Sequence, residues 1–552
     1  MSRIFTVLLF ILCYSINVSG QNWQTYPYTP ENTVLSFPVD DGKHSDDITN
    51  TEWWYTNLHV IGSAPGYKVY DVMLCYFNRP ISMRIFNIAM PGTGVFHTNV
   101  INLQEPNALS AQEGHWELTY TVLSPPIYDT SKWTYPTDGI PYRYYYHTEN
   151  PSNNDGLNVT ITSNRPPLKV GGDGFIPIGI DGDSSFYYSY TNMSVEGTIK
   201  FAGITDTITS GIAWIDRQWG PFNVGYNPKN LYEWFSMQVD KPGITWGNSQ
   251  TPSEFNIWQT FSDTNYIPAD PSSRLLSAMY PDESQDTTSG FIYERTSYWH
   301  DQANSKYYSS SWRLINPLRN INLDMIPTIP NQVVNVTLFK FWEGATTVKG
   351  VVENQDVEGI GFAELVASHR NKMETPSVPS ELTVTPYPDH NTISWSASSQ
   401  GTYPVGGYRV FRSASNNGHW KYLATTTDLN FDDYTATQDS AFYYTVTSFD
   451  NQTATSASAY ANAIQVVGIK DVAASNNSIK VFPNPAKDTF TIDCDNRQNL
   501  SFSLYTIFGQ LLIDRQIHNS LNEIDISNLT KGVYIIKLTD ASSTIQQKLV
   551  KN

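Results

Sequence analysis

The sequence predicts an all-β protein of several domains, and three observations carry that prediction. Aromatic residues make up 14% of the chain, with 35 Tyr and 15 Trp, side chains that suit strands and half-wet pockets. Long amphipathic helical patterns are hard to find, whereas short alternating runs broken by Gly, Pro, Asn and Asp recur throughout. At 552 residues the chain exceeds one ordinary core, so three or four domains of roughly 100–200 residues are expected. A formal net charge of -18 argues against nucleic acid as a partner, since phosphate binding needs clustered Lys and Arg.

Residues 1–20 read as a secretory signal peptide. Arg3 gives the positive start, Ile4 to Tyr14 the apolar run, and Val18-Ser19-Gly20 a small-residue cleavage site before Gln21. The run falls short of the roughly 20 residues that a spanning helix needs, and no other segment could span, so the mature chain is expected to hold no transmembrane segment. Cys13 would leave with the leader. Cys75 and Cys494 remain, far apart in sequence, which argues against a disulfide framework and is too few for a four-cysteine zinc site. Cys75 is expected to be a small buried hydrophobe.

From Val34 to about His369 the texture is uniform: aromatic strands separated by turn clusters such as Gly171-Gly172-Asp173-Gly174. The length suits two β domains, read here as 34–200 and 201–370. Residues 40–58, DDGKHSDDITNTEWWYTNL, are the most informative stretch. Glu52 stands against Trp53, Trp54 and Tyr55; such rings are costly to expose, and the carboxylate is costly to bury unpaired. In a strand, Glu52, Trp54, Thr56 and Leu58 share one face and Trp53, Tyr55, Asn57 and His59 the other. Both faces mix rings with polar groups, as the wall of a barrel or cleft would. In Leu231–Val239 the same alternation sets Leu231, Phe235, Met237 and Val239 as core against Tyr232, Trp234, Ser236 and Gln238 on a lumen or cleft face.

Asp40, Asp41, Asp46 and Asp47 lack calcium-loop spacing and read as a solvated loop. His44 and His59 read as surface or loop histidines rather than ligands. No H-E-x-x-H, G-x-S-x-G or Walker loop occurs, so zincin, α/β-hydrolase and NTPase chemistry lack their motifs, and neither a metal nor a cofactor is expected.

Residues 371–380 form a Pro/Ser-rich linker. Residues 376–467 then resemble a fibronectin type III domain, on Ile393-Ser394-Trp395-Ser396, Gly407-Tyr408-Arg409-Val410-Phe411-Arg412 and Phe442-Tyr443-Tyr444-Thr445-Val446. That resemblance implies an immunoglobulin-like sandwich serving as a spacer; with no Arg-Gly-Asp there, cell adhesion has no support. A second polar linker covers 468–478. Residues 478–552 resemble the C-terminal sorting domain of the type IX secretion system, on Pro483-Asn484-Pro485, Leu529 to Tyr534 and the terminal Lys548-Leu549-Val550-Lys551. That implies a small β-sandwich, the type IX machinery as partner, and passage to the cell surface or medium.

The 34–370 region resembles the AttH / carotenoid 1,2-hydratase family, whose fold is two tandem lipocalin-like β-barrel halves. Its pieces run in order. They are Thr51 to Tyr55, Phe186 to Ser189, Val195 to Gly197, Trp214 to Gly220, Tyr232 to Gln238, Phe341 to Ala345 and Gly361 to Leu365. The resemblance implies a hydrophobic small-molecule ligand, an isoprenoid or lipid, and proton-driven hydration, isomerisation or cyclisation. Such chemistry needs a carbon-protonating acid of tuned pKa and rings to stabilise a cation. Asp216 and Glu52 are the candidate acids, with Trp53, Trp54, Arg217, Trp219, Tyr232 and Trp234 around the ligand. Arg217 stands where the hydratases are expected to carry a histidine, and arginine is a poor acid or base. Two further readings stay open: a Glu52–Arg217 ion pair holding the barrels together, and a non-catalytic surface protein binding lipid or glycan.

Overall fold

The computed structural model describes residues 22–552 except 45–50, 67, 80–82, 103–108, 113–114, 124–125, 135–141, 179–181, 223–230, 245–251, 262–273, 337–339, 388, 437–440, 453–455, 468–479, 495–498, 507–509 and 540–543. Between 102 and 141 it describes backbone only. The expected leader, Asp46, Asp47 and the linker at 468–478 lie outside the described residues. The chain divides into two compact units at Thr375/Pro376, with Gln452–Ala457 assigned to the first.

The first unit is built on two curled antiparallel sheets. The central ladder of the first sheet sets Thr51–Gly62 between Val69–Arg79 and Ile204–Gly220, and the latter continues to Asp183–Phe201, Asp155–Ser163 and Arg143–Asn150. Across this ladder Trp54 lies opposite Arg217 and Tyr55 opposite Asp216. Asp183–Phe201 is 19 residues long and is broken by two register shifts, which let a long strand bend around a barrel wall. At one of them Gly197 has φ +135°, and a Cβ there would lie 2.2 Å from the Asn158 carbonyl oxygen.

The second sheet places Leu231–Asp240 between Ser253–Phe261 and Gln355–Leu365, followed by Lys340–Val352, Ile321–Pro327, Lys306–Asn316 and Ile292–Asp301. The passage between sheets falls between Gly220 and Leu231, later than the 200/201 boundary that the sequence suggested. The reason is pairing: Ile204–Gly220 returns antiparallel along Asp183–Phe201 and bonds on its other edge to Thr51–Gly62, so it completes the first sheet.

Alternation then assigns the rings of the central strands to three layers. Trp54, Leu58 and Val60 join Ile215 and Trp219 in the core of the first half. Phe235, Met237 and Val239 join Trp312 and Trp342 in the core of the second. Trp53, Tyr55, Tyr232 and Trp234 meet in a third cluster fed by both sheets. The expected face pattern thus holds for both strands, except that Leu231 packs on the shared cluster.

Two polar expectations are corrected. His59 is buried, with Nδ1 2.8 Å from Asp71 Oδ1, because a strand position facing the other sheet has no water. Asp41 is also buried: it accepts hydrogen bonds from Tyr188 at 2.5 Å and Tyr190 at 2.9 Å, and burial pushes its carboxyl up to about 6. Cys75 is buried as expected.

In the second unit a three-stranded sheet and a four-stranded sheet between Ser380 and Val467 share a core of Ile393, Trp395, Tyr408, Val410, Tyr444 and Val446. This is the strand division of a fibronectin type III sandwich. Residues 480–551 form another three-plus-four pair of sheets around Phe490, Phe502, Leu504, Ile536 and Leu538.

Candidate functional site

Of the residues singled out by sequence, six fall on opposite faces of the first sheet, and Tyr232 and Trp234 come from the second. Glu52, Trp54, Arg217 and Trp219 point into the first half's own core. Glu52 and Arg217 are fully buried and form an ion pair. The guanidinium lies 4.0 Å from the Trp54 ring centre and 5.0 Å from that of Trp219. It also donates to the carbonyls of Trp53 and Gly42. His44 N donates to Glu52 Oε1 at 2.8 Å, and the His44 ring stacks on Trp219 at 4.1 Å. Each charge is thereby compensated where it sits, as buried charges must be. The pair ties two strands and the 42–44 segment of one half. It does not bridge the halves, because its side chains face away from the second sheet.

Asp216 and Trp53 lie on the other face, with Tyr55, Cys75, Phe77, Tyr187 and Gln218, and meet Tyr232, Trp234, Trp258 and Glu364 of the second sheet around a cavity between the sheets. Its empty space is about 300 Å³ including the mouth, and the inner part is narrow. Asp216 is fixed by Tyr187 at 2.5 Å, Ser189 at 2.5 Å and the Trp214 indole N–H at 2.6 Å. These donors favour the carboxylate, but burial outweighs them and pushes Asp216 up to about 6. Asn256 donates to the Tyr187 hydroxyl at 2.9 Å, so the second sheet braces the first sheet's acid.

Two further carboxyls come from the second sheet, where Glu343 and Glu364 lie directly opposite one another. Tyr55 donates to Glu343 at 2.7 Å and Tyr232 to Glu364 at 2.5 Å. Burial raises both carboxyls; the Glu364 charge raises Glu343 further, whereas hydrogen bonds from Tyr232 and Glu343 partly offset the rise of Glu364, to which Asp216 adds. Two such groups share a proton more readily than they both ionise. No Lys or Arg stands among the described lining residues. The Cys75 thiol is pushed up by burial, which leaves it a poor nucleophile. Among the described residues no group of three or more His, Cys, Asp or Glu is placed to hold a metal ion.

Sequence reasoning placed Asp216, Trp53, Tyr232 and Trp234 on this cleft and missed Glu364, Tyr187, Gln218 and Trp258 as its members, along with Glu343 beside Glu364. A signal for the two glutamates existed: each is a lone carboxyl inside an apolar run, Phe341 to Ala345 and Gly361 to Leu365. Only cross-strand pairing sets one against the other.

Two curled sheets with rings and acids between them define a two-half, lipocalin-type β protein. Residues 28–368 match the AttH-like family model, and the chain belongs to that family. Residues 480–552 match the secretion system C-terminal sorting domain, which marks the chain for export or cell-surface attachment by the type IX machinery. No helix among the described residues is long and apolar enough to cross a membrane.

Among solved structures the chain is similar to a protein of Nitrosomonas europaea assigned as an AttH, at 19% identity, TM-score 0.47, covering 62% of this chain and 99% of that one. It is also similar to kievitone hydratase of Nectria haematococca, at 16% identity, TM-score 0.45, covering 63% and 99%. Curated relatives match over short stretches. An endo-acting ulvan lyase of Formosa agariphila is 28% identical over 87 residues, 16% of this chain and 17% of the lyase. An ulvan lyase of Nonlabens ulvanivorans is 34% identical over 77 residues, 14% of each. The chain thus spans about a sixth of the length of these relatives or less.

Proposed function

We propose that the cleft between the two halves binds a hydrophobic small molecule, an isoprenoid or lipid, and moves a proton to or from its carbon–carbon double bond. The products would be those of hydration, isomerisation or cyclisation. One observation carries this reading: two buried carboxyls, Asp216 and Glu364, line an aromatic cavity whose described lining holds no cation, and a third, Glu343, lies directly opposite Glu364. An acid kept protonated near neutral pH can donate to carbon, and a neighbouring carboxylate can take a proton back. Glu364 is the proposed donor, held by Tyr232 and pushed up to about 7 by burial and by the charge of Asp216. Asp216 is the proposed acceptor. Trp53, Trp234 and Trp258 present ring faces and edges to a developing cation. Glu52 and Arg217 are proposed as structural.

Exposure of the full chain to a panel of polyenes in D₂O tests this. Deuterium should enter the ligand with the wild type, and Asp216→Asn and Glu364→Gln should lose at least about 100-fold of the rate while retaining affinity. Binding with no deuterium uptake by any form would refute catalysis. That outcome would favour the second reading, a non-catalytic surface protein for lipid or glycan. Its support is Arg217, which occupies the position expected of a catalytic histidine and is committed to Glu52.

A further inference from the structure

We infer that Gln218 sets ligand specificity by requiring a hydroxyl or carbonyl on an otherwise apolar molecule, an inference that rests on the proposed cleft binding. Gln218 lines the cavity and is fully buried. Both its amide nitrogen and its amide oxygen lack hydrogen-bond partners among the described residues. The indole N–H of Trp258, from the second sheet and on the same cavity, is likewise buried and without a partner among the described residues. The rest of the lining is mostly ring and carboxyl. A buried amide with neither end satisfied is costly, and in a core strand an apolar residue would fill the position without that cost. The polar atoms are met by water in the empty cleft and by the ligand when it displaces that water.

The chemistry required is specific. Gln218 offers two N–H donors and an acceptor, and Trp258 one further donor. A hydroxyl satisfies the amide as both donor and acceptor, and a carbonyl accepts from one of its N–H groups. A pure hydrocarbon expels the water and replaces none of its bonds.

Register adds a positional consequence. On Ile204–Gly220, Gln218 lies opposite Trp53 and Tyr187, and Asp216 opposite Tyr55 and Ser189. The two residues share a face, roughly 7 Å apart along the strand. A ligand whose oxygen rests on Gln218 therefore extends its chain along Trp53 toward Asp216. The ligand class is an isoprenoid alcohol, aldehyde or ketone with a double bond a few carbons from its oxygen.

Geraniol and myrcene, a C10 alcohol and a C10 hydrocarbon, are the probes, with binding to the full chain read by calorimetry. The wild type should bind geraniol about tenfold or more tighter than myrcene. In Gln218→Met, of similar length but apolar, that preference should fall to about threefold or less, with myrcene bound as well as before or better. Trp258→Phe removes the N–H but leaves the ring; it should weaken geraniol alone, and it stands as an independent test if the Met variant fails to fold. Equal binding of both probes by the wild type, or an unchanged preference in the folded variants, would overturn the role of Gln218 and leave the cleft intact. Binding of neither probe would overturn both.

Discussion

Glu52 and Glu364 are both glutamates set among rings, and their neighbours give them opposite characters. Glu52 faces a guanidinium and a backbone N–H, so its charge is compensated. Glu364 meets a tyrosine hydroxyl and a second carboxyl with no cation in the described lining, so burial and the Asp216 charge oppose its ionising. Removing one partner of the first pair strands the other in a dry core. Arg217→Met should therefore cost about 3–5 kcal/mol of stability, measured by chemical unfolding. Folded Arg217→Met should still bind cleft ligands as the wild type does, because the guanidinium lies on the far side of the sheet. A loss of binding at unchanged stability would return Arg217 to the site.

At the scale of elements, the cleft depends on how closely Gln355–Leu365 lies beside Leu231–Asp240. Gly361 sits opposite Met237, and a Cβ added to it would lie 2.2 Å from the Ser236 carbonyl oxygen. The glycine is there for close approach. Gly361→Ala should force the strands apart, costing roughly 1–3 kcal/mol in thermal unfolding. It should also disturb Glu364, three residues along. Alternation itself was legible in the sequence: Trp53 and Trp54 went to opposite layers, as period two demands. What the cleft face packs against was not legible, because a strand's own pattern does not name the sheet that covers it. The extent of the first half was missed for the same reason, since Ile204–Gly220 closes a sheet opened some 150 residues earlier.

For the whole molecule, the buried acids of the first unit couple its stability to pH. Asp41 and Asp216 are held up at about 6 and Glu254 at about 7, all by burial. Between about pH 4 and 7 the folded state holds more protons at these groups than the unfolded chain does. Their contribution is therefore complete below about pH 4 and is lost as pH rises through 6 to 7. The calorimetric transition of the first unit should fall in temperature between pH 5 and pH 8. Asp216→Asn should flatten that fall, by up to roughly 1.4 kcal/mol over the range. A transition that rises over this range would contradict these assignments.

Several features were decided by the sequence alone. Aromatic alternation made the chain all-β, ordered motifs marked the AttH-like region, and Pro-Asn-Pro to Lys-Leu-Val-Lys marked the sorting tail. These are local patterns, and strand period, turn chemistry and motif order can be read without knowing what folds onto what. Tertiary structure decided which acids meet. Glu343 and Glu364 are 21 positions apart and face each other through one antiparallel register, while Asp216 reaches them from another sheet. A buried carboxyl's character comes from its partners, and partners across a cleft are set by packing.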